Sequence, residues 1–198
     1  GYDRYFDSFE HYYLLYQRRN LDLWAEYADG KVTKEELNRQ RYLYPLEAVG
    51  AGDSTLAKAY ERDALTMIPT KSKLMPHARE VLEYLSGKYN LYILSNGFKE
   101  LQSHKMRSSG IDEYFKKVVL SDDIGILKPW PEIFHFALST TQSELNNSLM
   151  IGDSWENDIV GAAGVGMHQV FYNLSGRTDL PFAPTYQITD LKDLFNFL

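Results

Sequence analysis

Short apolar runs alternate with segments of helical spacing from about Leu74 to the C-terminus. The apolar runs lie at residues 91–94, 118–120 and 149–151, and in the later segments HQVFY and YQIT. The segments between them, such as MPHAREVLEYLSGKYN, have the proline and glycine positions that are typical of helix starts and ends. Apolar strands that alternate with helices form parallel sheets covered on both faces. This half of the chain is therefore predicted to be an α/β domain.

The first part of the chain has a different pattern and contains no convincing strand. It is rich in aromatic and charged residues at helical spacing. The segment TKEEL offers a capping box, with Thr33 as the N-cap and Glu36 three residues later. We expect three or four amphipathic helices here. The sequence therefore predicts a helical domain at 1–73 and an α/β domain at 74–198.

Composition and charge exclude several classes of protein. The 198 residues carry a formal net charge of −6 and have an isoelectric point near 5.4, which argues against a nucleic-acid-binding surface. The absence of cysteine excludes disulfides, thiolate metal sites and cysteine nucleophiles. No apolar stretch is long enough to span a bilayer, and nothing resembles a signal peptide. We expect a cytoplasmic protein with no membrane partner.

Polar residues follow the predicted strands at the point where each strand ends. Ser95 follows one strand, Lys128 lies in the loop after the next, and Asp153 follows a third. Ligands of parallel sheets sit beyond the carboxyl ends of the strands. We therefore expect these side chains to converge on one edge of the sheet.

Each of these residues also has an ordinary structural interpretation. Ser95 precedes a predicted helix, so it is either an oxyanion ligand, together with the N–H groups of Asn96 and Gly97, or a simple N-cap. Lys128 lies in the proline-braced segment LKPWP, where it is either a positioned cation or a solvated surface lysine.

Asp153 and Asp158 place two carboxylates beside the start of one helix. Both could cap that helix. Alternatively, their oxygens could approach one point and bind Mg²⁺, which takes oxygen ligands and usually keeps several waters. The pair would then be a partial metal site.

Three segments together resemble a known family. LSNG, LKPWPEIF and MIGDSWENDIVGA are similar, in order and spacing, to motifs II, III and IV of the haloacid dehalogenase-like hydrolase superfamily. That resemblance implies a Rossmann-like core in which Ser95 binds a transferring phosphoryl group and Lys128 stabilises it. It implies that Asp153 ligates Mg²⁺ and that Asp158 ligates the ion or one of its waters.

The same resemblance extends to other parts of the site and to the helical domain. Asn96 and Gly97 would add backbone contacts to the phosphoryl group. The helical domain resembles the small cap that this superfamily inserts into its core. The segment YQRRNLDLWAEYADGKVTKEELNRQRY is similar to the cap of bacterial pyrimidine 5′-nucleotidases. We therefore expect a small phosphorylated metabolite as substrate, a pyrimidine nucleotide in particular, with Trp24 and Arg41 among the substrate-binding residues.

One motif of the family does not occur in this sequence. The nucleophile of the family lies in an Asp-x-Asp motif at the end of the first core strand, upstream of the cap, and no Asp-x-Asp occurs in residues 1–198. Because the chain already resembles the first cap helix at its first residue, we expect the first core strand to lie outside these residues. Residues 1–198 alone are then expected to be inactive.

Three functions follow as hypotheses from these observations. The first is a Mg²⁺-dependent phosphomonoesterase, a nucleoside 5′-monophosphatase, that works through an aspartyl-phosphate intermediate. The second is a haloacid dehalogenase, which shares the SNG segment but needs no metal. The third is a non-catalytic binding protein that has lost the nucleophile.

Overall fold

A computed structural model describes residues 2–198 of the chain. The chain divides into two compact units, the first ending at Thr70 and the second running from Lys71 to Leu198. The first unit is helical, and the second combines helices with parallel strands. Among the described residues, no helix has both the length and the apolar character needed to cross a membrane.

The helices of the first unit begin at polar side chains that cap them. They are α1 (Phe9–Ala28), α2 (Lys34–Ala48) and α3 (Ser54–Met67). Ser8, Thr33 and Asp53 each accept a hydrogen bond from a backbone N–H in the first turn of the helix that follows. Since the first N–H groups of a helix have no partner within it, these caps fix where each helix starts.

The cap of α2 differs from the predicted capping box in one respect. Thr33 Oγ1 accepts a hydrogen bond from the Glu36 N–H at 3.2 Å, as predicted. The Glu36 carboxylate, however, accepts hydrogen bonds from Arg39 and Gln40. These side-chain donors lie one turn further along the helix, and one of them is charged, so they outcompete the backbone N–H of Thr33. The reciprocal half of the predicted box is therefore wrong.

Leucines and tyrosine rings form the core of the first unit. Leu23, Leu37 and Leu46 are fully buried. Ring centroids 5.5–5.8 Å apart join four tyrosines of α1, α2 and α3, which are Tyr12, Tyr16, Tyr42 and Tyr60. The tilted and edge-on geometry of these pairs is that of ordinary aromatic core packing. These tyrosines therefore hold the helices together.

The second unit contains the parallel strands that the apolar runs predict. They are β1 (Leu91–Ser95), β2 (Phe115–Leu120), β3 (Leu149–Gly152), β4 (His168–Tyr172) and β5 (Tyr186–Ile188). β1 pairs with β2, β3 with β4, and β4 with β5, and every pairing is parallel. The predicted α/β class and its parallel sheet are confirmed.

The sheet is interrupted between β1 and β3. Within residues 2–198, β1–β2 and β3–β4–β5 form separate sheets. β1 and β3 each have one neighbouring strand, so each keeps one edge without a strand partner. Every residue of β1 and β3 is only half-buried, although most of their side chains are apolar. An edge of this kind is a place where a further strand can pair.

The helices of the second unit lie close to the predicted segments. They are α4 (Ala78–Ser86), α5 (Lys99–Ser109), α6 (Pro131–Thr141) and α7 (Gly161–Gly164). Pro76 was expected near the first turn of α4, but His77 has a left-handed backbone (φ 62°), which a right-handed helix cannot include, so α4 starts after it. The helix expected after β3 begins as a π-helical segment, Trp155–Val160, before α7.

Side chains of β3 enter opposite faces of its sheet. Leu149 and Ile151 contact a buried cluster that includes Val81 of α4. Met150, between them, contacts another cluster that includes Phe134 of α6. Helices therefore cover both faces of β3, as its continuous apolar sequence predicts.

Candidate active site

Lys128 connects the carboxyl ends of β1 and β3. It lies in the loop after β2, and its Nζ donates hydrogen bonds to the Leu94 carbonyl of β1 at 2.8 Å and to Asp158 Oδ1 at 2.6 Å. Asp158 lies in the π-helical segment that follows β3. The structure thus brings two of the predicted site residues into direct contact.

The Lys128–Asp158 ion pair is buried. Its side chains expose only 10% and 6% of their surface. Charges removed from water are stable only when a partner charge and hydrogen bonds replace the lost solvation. Asp158 has such support, because its Oδ2 accepts a hydrogen bond from the Ser154 N–H at 3.0 Å. Lys128 is therefore not a solvated surface lysine.

Gly152, the last residue of β3, makes room for the Asp158 carboxylate. A Cβ at Gly152 would lie 2.5 Å from both Cβ and Cγ of Asp158, closer than side chains approach one another. The prediction from sequence gave Gly152 and Ser154 no role. A glycine at the end of an apolar strand, directly before an acidic residue, is the signal that could have identified the close approach.

The side chain of Asn96 fixes the backbone of Lys128. Asn96 Oδ1 accepts a hydrogen bond from the Lys128 N–H at 2.8 Å, and Asn96 Nδ2 donates one to the Lys128 carbonyl at 3.0 Å. The prediction gave Asn96 only backbone contacts to a phosphoryl group. This side-chain role was missed because the partner lies 32 residues away along the chain.

Ser95 and Gly97 form a tight turn between β1 and α5. Ser95 Oγ accepts a hydrogen bond from the Gly97 N–H at 3.0 Å. The N-cap residue of α5 is Phe98, so the alternative of Ser95 as a helix N-cap is wrong. Within the described chain the Ser95 O–H has no acceptor and is available as a donor.

The segment that carries Asp158 is anchored by its own neighbours. Trp155 is buried and packs edge-on against Phe171 of β4, with ring centroids 5.2 Å apart. Arg177 donates a hydrogen bond to Glu156 at 2.6 Å, which holds the pKa of the Glu156 carboxyl below its ordinary value. These contacts fix the segment, and with it the position of Asp158.

Asp153 and Asp158 offer a partial, oxygen-only set of metal ligands. Asp153 is exposed, and its carboxylate has no hydrogen-bond or ion-pair partner in the part of the chain that the structure describes. Each Asp158 oxygen accepts one hydrogen bond and keeps a second lone pair. No group of three or more His, Asp or Glu among the described residues could hold a metal ion unaided. The donor set fits Mg²⁺, which prefers oxygen and keeps several waters.

Trp24 and Arg41 belong to the helical unit. Trp24 is half-buried in α1 and lies edge-on to Tyr27, with ring centroids 6.0 Å apart. Arg41 of α2 is 7% exposed, and its guanidinium lies over the Tyr42 ring at 5.0 Å. Their role in substrate binding stays a prediction.

Comparisons with known proteins agree with this geometry. Residues 2–166 match the family model of the haloacid dehalogenase-like hydrolases. The HAD-hydrolase YfnB of Bacillus subtilis is 29% identical over 187 residues, which cover 92% of this chain and 78% of YfnB. The pyrimidine 5′-nucleotidase YjjG of Escherichia coli is 30% identical over 185 residues, which cover 92% of this chain and 80% of YjjG.

A solved structure from this family has a similar fold. The crystal structure of YfnB bound to magnesium has a TM-score of 0.88 to this chain at 27% identity. The similarity covers 99% of this chain and 86% of the YfnB chain. It therefore includes both the helical unit and the α/β unit.

Proposed function

This chain belongs to the haloacid dehalogenase-like hydrolases, and we propose that it supplies the phosphate-binding and metal-binding residues of a Mg²⁺-dependent phosphomonoesterase. The preferred substrates are pyrimidine nucleoside 5′-monophosphates. The helical domain, 1–73, is the cap that selects the substrate, and 74–198 is the catalytic core. The buried Lys128–Asp158 pair beside the exposed Asp153 is the observation that carries this proposal.

Lys128 and Ser95 provide the donors that a phosphoryl group needs. The Lys128 ammonium has three donors and uses two of them on Leu94 and Asp158, so one is left for a phosphoryl oxygen. Ser95 adds its hydroxyl. Because Asn96 fixes the backbone of Lys128, the ammonium is held in place before the substrate binds.

The nucleophile is a carboxylate on a strand outside residues 1–198. The unpaired edges of β1 and β3 and the absence of Asp-x-Asp from the sequence support this assignment. The carboxylate oxygen attacks phosphorus, and the bond from phosphorus to the nucleoside oxygen breaks as that oxygen takes a proton from the second Asp of the motif. Water then hydrolyses the aspartyl-phosphate, which releases inorganic phosphate and restores the carboxylate.

Asp153 and Asp158 would hold the Mg²⁺ ion in this reaction. The bound ion supplies positive charge that offsets the charge of the phosphoryl oxygens. Asp153 offers the more accessible carboxylate, whereas Asp158 has the additional task of pairing with Lys128. A dehalogenase needs no metal, so this exposed Asp153 beside a second Asp favours the phosphatase.

A substrate screen on the full-length protein tests the proposal. We expect phosphate release from nucleoside monophosphates, sugar phosphates and phosphoglycolate to depend on Mg²⁺, to stop on addition of EDTA, and to be fastest for uridine and thymidine 5′-monophosphates. Halide release from chloroacetate is measured in parallel. Metal-independent halide release without phosphate release would overturn the proposal in favour of a dehalogenase, and preference for hexose phosphates would overturn the substrate class.

A further inference from the structure

Arg41 of the helical unit is a buried residue that has no charged partner in the part of the chain that the structure describes. It is 7% exposed, and its Nε has no hydrogen-bond partner. Within the described residues it forms no ion pair, and its guanidinium lies over the face of the Tyr42 ring at 5.0 Å. A buried Nε–H without an acceptor is costly, since no hydrogen bond and no carboxylate replaces the solvation that it has lost.

Among the described residues, two asparagine side-chain oxygens of the same helix pair are also buried and unpaired. Asn38 is 9% exposed, and the side-chain oxygens of Asn38 and Asn20 have no hydrogen-bond partner. Asn20 lies one turn after Tyr16 on α1, and Asn38 lies one turn before Tyr42 on α2. The Tyr16 and Tyr42 rings are in contact, with centroids 5.8 Å apart, and residues 29–33 join these consecutive helices. The asparagines therefore lie on the neighbouring turns of the same helix pair.

The surroundings of this cluster are apolar. Burial raises the pKa of Tyr42 to about 12 and also raises the pKa of Tyr16, although the nearby Arg41 charge lowers both. Hydrogen bonds are strong in such surroundings, and polar groups left without them are destabilising. Buried polar groups retained at a cost to stability are characteristic of binding sites.

We infer that Asn20, Asn38 and Arg41 bind the edge of a planar heterocycle that carries both hydrogen-bond donors and acceptors, as a pyrimidine ring does. The Arg41 N–H would donate to a ring carbonyl, and the asparagine oxygens would accept from a ring N–H or amino group. A simple carboxylate offers acceptors alone and leaves both asparagine oxygens unpaired. This inference rests on the proposed function for the class of ligand and goes beyond it by naming the residues that recognise the base.

The test compares substitutions at the cluster with a matched control in the full-length protein. Arg41→Met and Asn38→Leu remove the polar groups while keeping much of the side-chain volume. Arg39→Met is the control, because Arg39 is an exposed arginine of the same helix that pairs with Glu36. The measured quantities are kcat/KM for uridine 5′-monophosphate and for p-nitrophenyl phosphate, the melting temperature, and the rise in melting temperature caused by uridine, which has no phosphate.

We expect Arg41→Met and Asn38→Leu to lower the ratio of kcat/KM for the nucleotide to that for p-nitrophenyl phosphate by about tenfold or more, chiefly through KM. Both variants should melt at higher temperature than the wild type, because an unpaired buried polar group is gone. Uridine should raise the melting temperature of the wild type and of Arg39→Met, but not that of Arg41→Met.

Other outcomes overturn the inference and leave the proposed function in place. An unchanged ratio in both cluster variants, or a lower melting temperature in both, means that the cluster is structural. Stabilisation of the wild type by chloroacetate and not by uridine means that the ligand is a carboxylate. Conversely, uridine binding that Arg41→Met abolishes, in a protein that hydrolyses no phosphate ester, supports the inference and refutes the proposed function.

Discussion

Asp153 and Asp158 differ in burial, so the same substitution should affect them differently. Asp153→Asn should abolish Mg²⁺-dependent hydrolysis and leave the melting temperature unchanged, because Asp153 is exposed and a neutral amide binds a hard cation poorly. Asp158→Asn should also destabilise the fold by about 3–5 kcal/mol, because Lys128 is then buried beside a neutral group. Phosphate release and denaturant unfolding measure the two effects.

The exposed Asp112 provides the control for this pair. Asp112→Asn should change neither activity nor stability. Wild-type turnover in Asp153→Asn would refute the metal assignment. Unchanged stability in Asp158→Asn would show that the ion pair contributes nothing to the fold.

Asn96 holds the main chain of Lys128 at both its N–H and its carbonyl, which predicts a positioning role. Asn96→Ala should lower kcat about tenfold to hundredfold, because a small displacement of a catalytic group is costly to turnover. Asn147→Ala, at an exposed asparagine whose side chain donates a hydrogen bond to Glu144, is the control and should leave kcat unchanged. Equal kcat in wild type and Asn96→Ala would mean that Lys128 is positioned without Asn96.

Single residues show what the sequence could and could not predict about this site. The position of Lys128 in a loop after a strand follows from the local pattern of strand and prolines. The burial of Lys128 depends on residues more than 30 positions away. So do the hydrogen bond from its Nζ to the Leu94 carbonyl and the hydrogen bonds between its backbone and the Asn96 side chain. Local periodicity carries no information about such pairs, and only the folded sheet brings them together.

Helix α2 carries a tyrosine whose ionisation should be coupled to folding. Burial raises the pKa of Tyr42 to about 12, whereas the unfolded phenol loses its proton near pH 10. Between these values the folded state binds more protons than the unfolded state, so the free energy of unfolding falls as pH rises. Tyr42→Phe should reduce that fall by roughly 2–3 kcal/mol.

Denaturant unfolding at about pH 9 and about pH 12 measures this coupling. Tyr13→Phe is the matched control, because the Tyr13 side chain on α1 is 44% exposed. It should unfold with the same pH dependence as the wild type. An identical pH dependence in Tyr42→Phe would show that the Tyr42 hydroxyl ionises equally well in the folded and unfolded states.

The strands and helices were predictable because each is specified by its own sequence. The apolar run at β3 and the Thr33 cap of α2 are local signals, and both elements form where those signals lie. The π-helical segment Trp155–Val160 was not predictable in this way. A π-helix has more residues per turn than an α-helix, and this wider turn occurs where Trp155 is buried and Asp158 accepts a hydrogen bond from Lys128. Both of these are tertiary interactions.

At the scale of the whole molecule, the strands with unpaired edges include those beside the proposed active site, which lacks a nucleophile within residues 1–198. Ser95, Asp153 and Asp158 lie at or after the ends of β1 and β3, and each of these two strands has an unpaired edge. One additional strand would pair with both edges and end beside Lys128 and Asp153. A nucleophile at the end of that strand would complete the fold and the active site together.

The final prediction is that residues 1–198 expressed alone will aggregate and will show no phosphatase activity. β1 and β3 each have an edge without a strand partner, and their apolar side chains are only half-buried. Each backbone group that is buried without a partner costs about 1–3 kcal/mol, whereas a domain has only about 5–15 kcal/mol of total stability. Adding an apolar strand that ends in Asp-x-Asp at the N-terminus should restore a soluble monomer and turnover. The same strand ending in Asn-x-Asn should restore solubility and cooperative melting but no turnover. Cooperative melting of residues 1–198 as a soluble monomer, with undiminished stability, would show that the sheet needs no further strand.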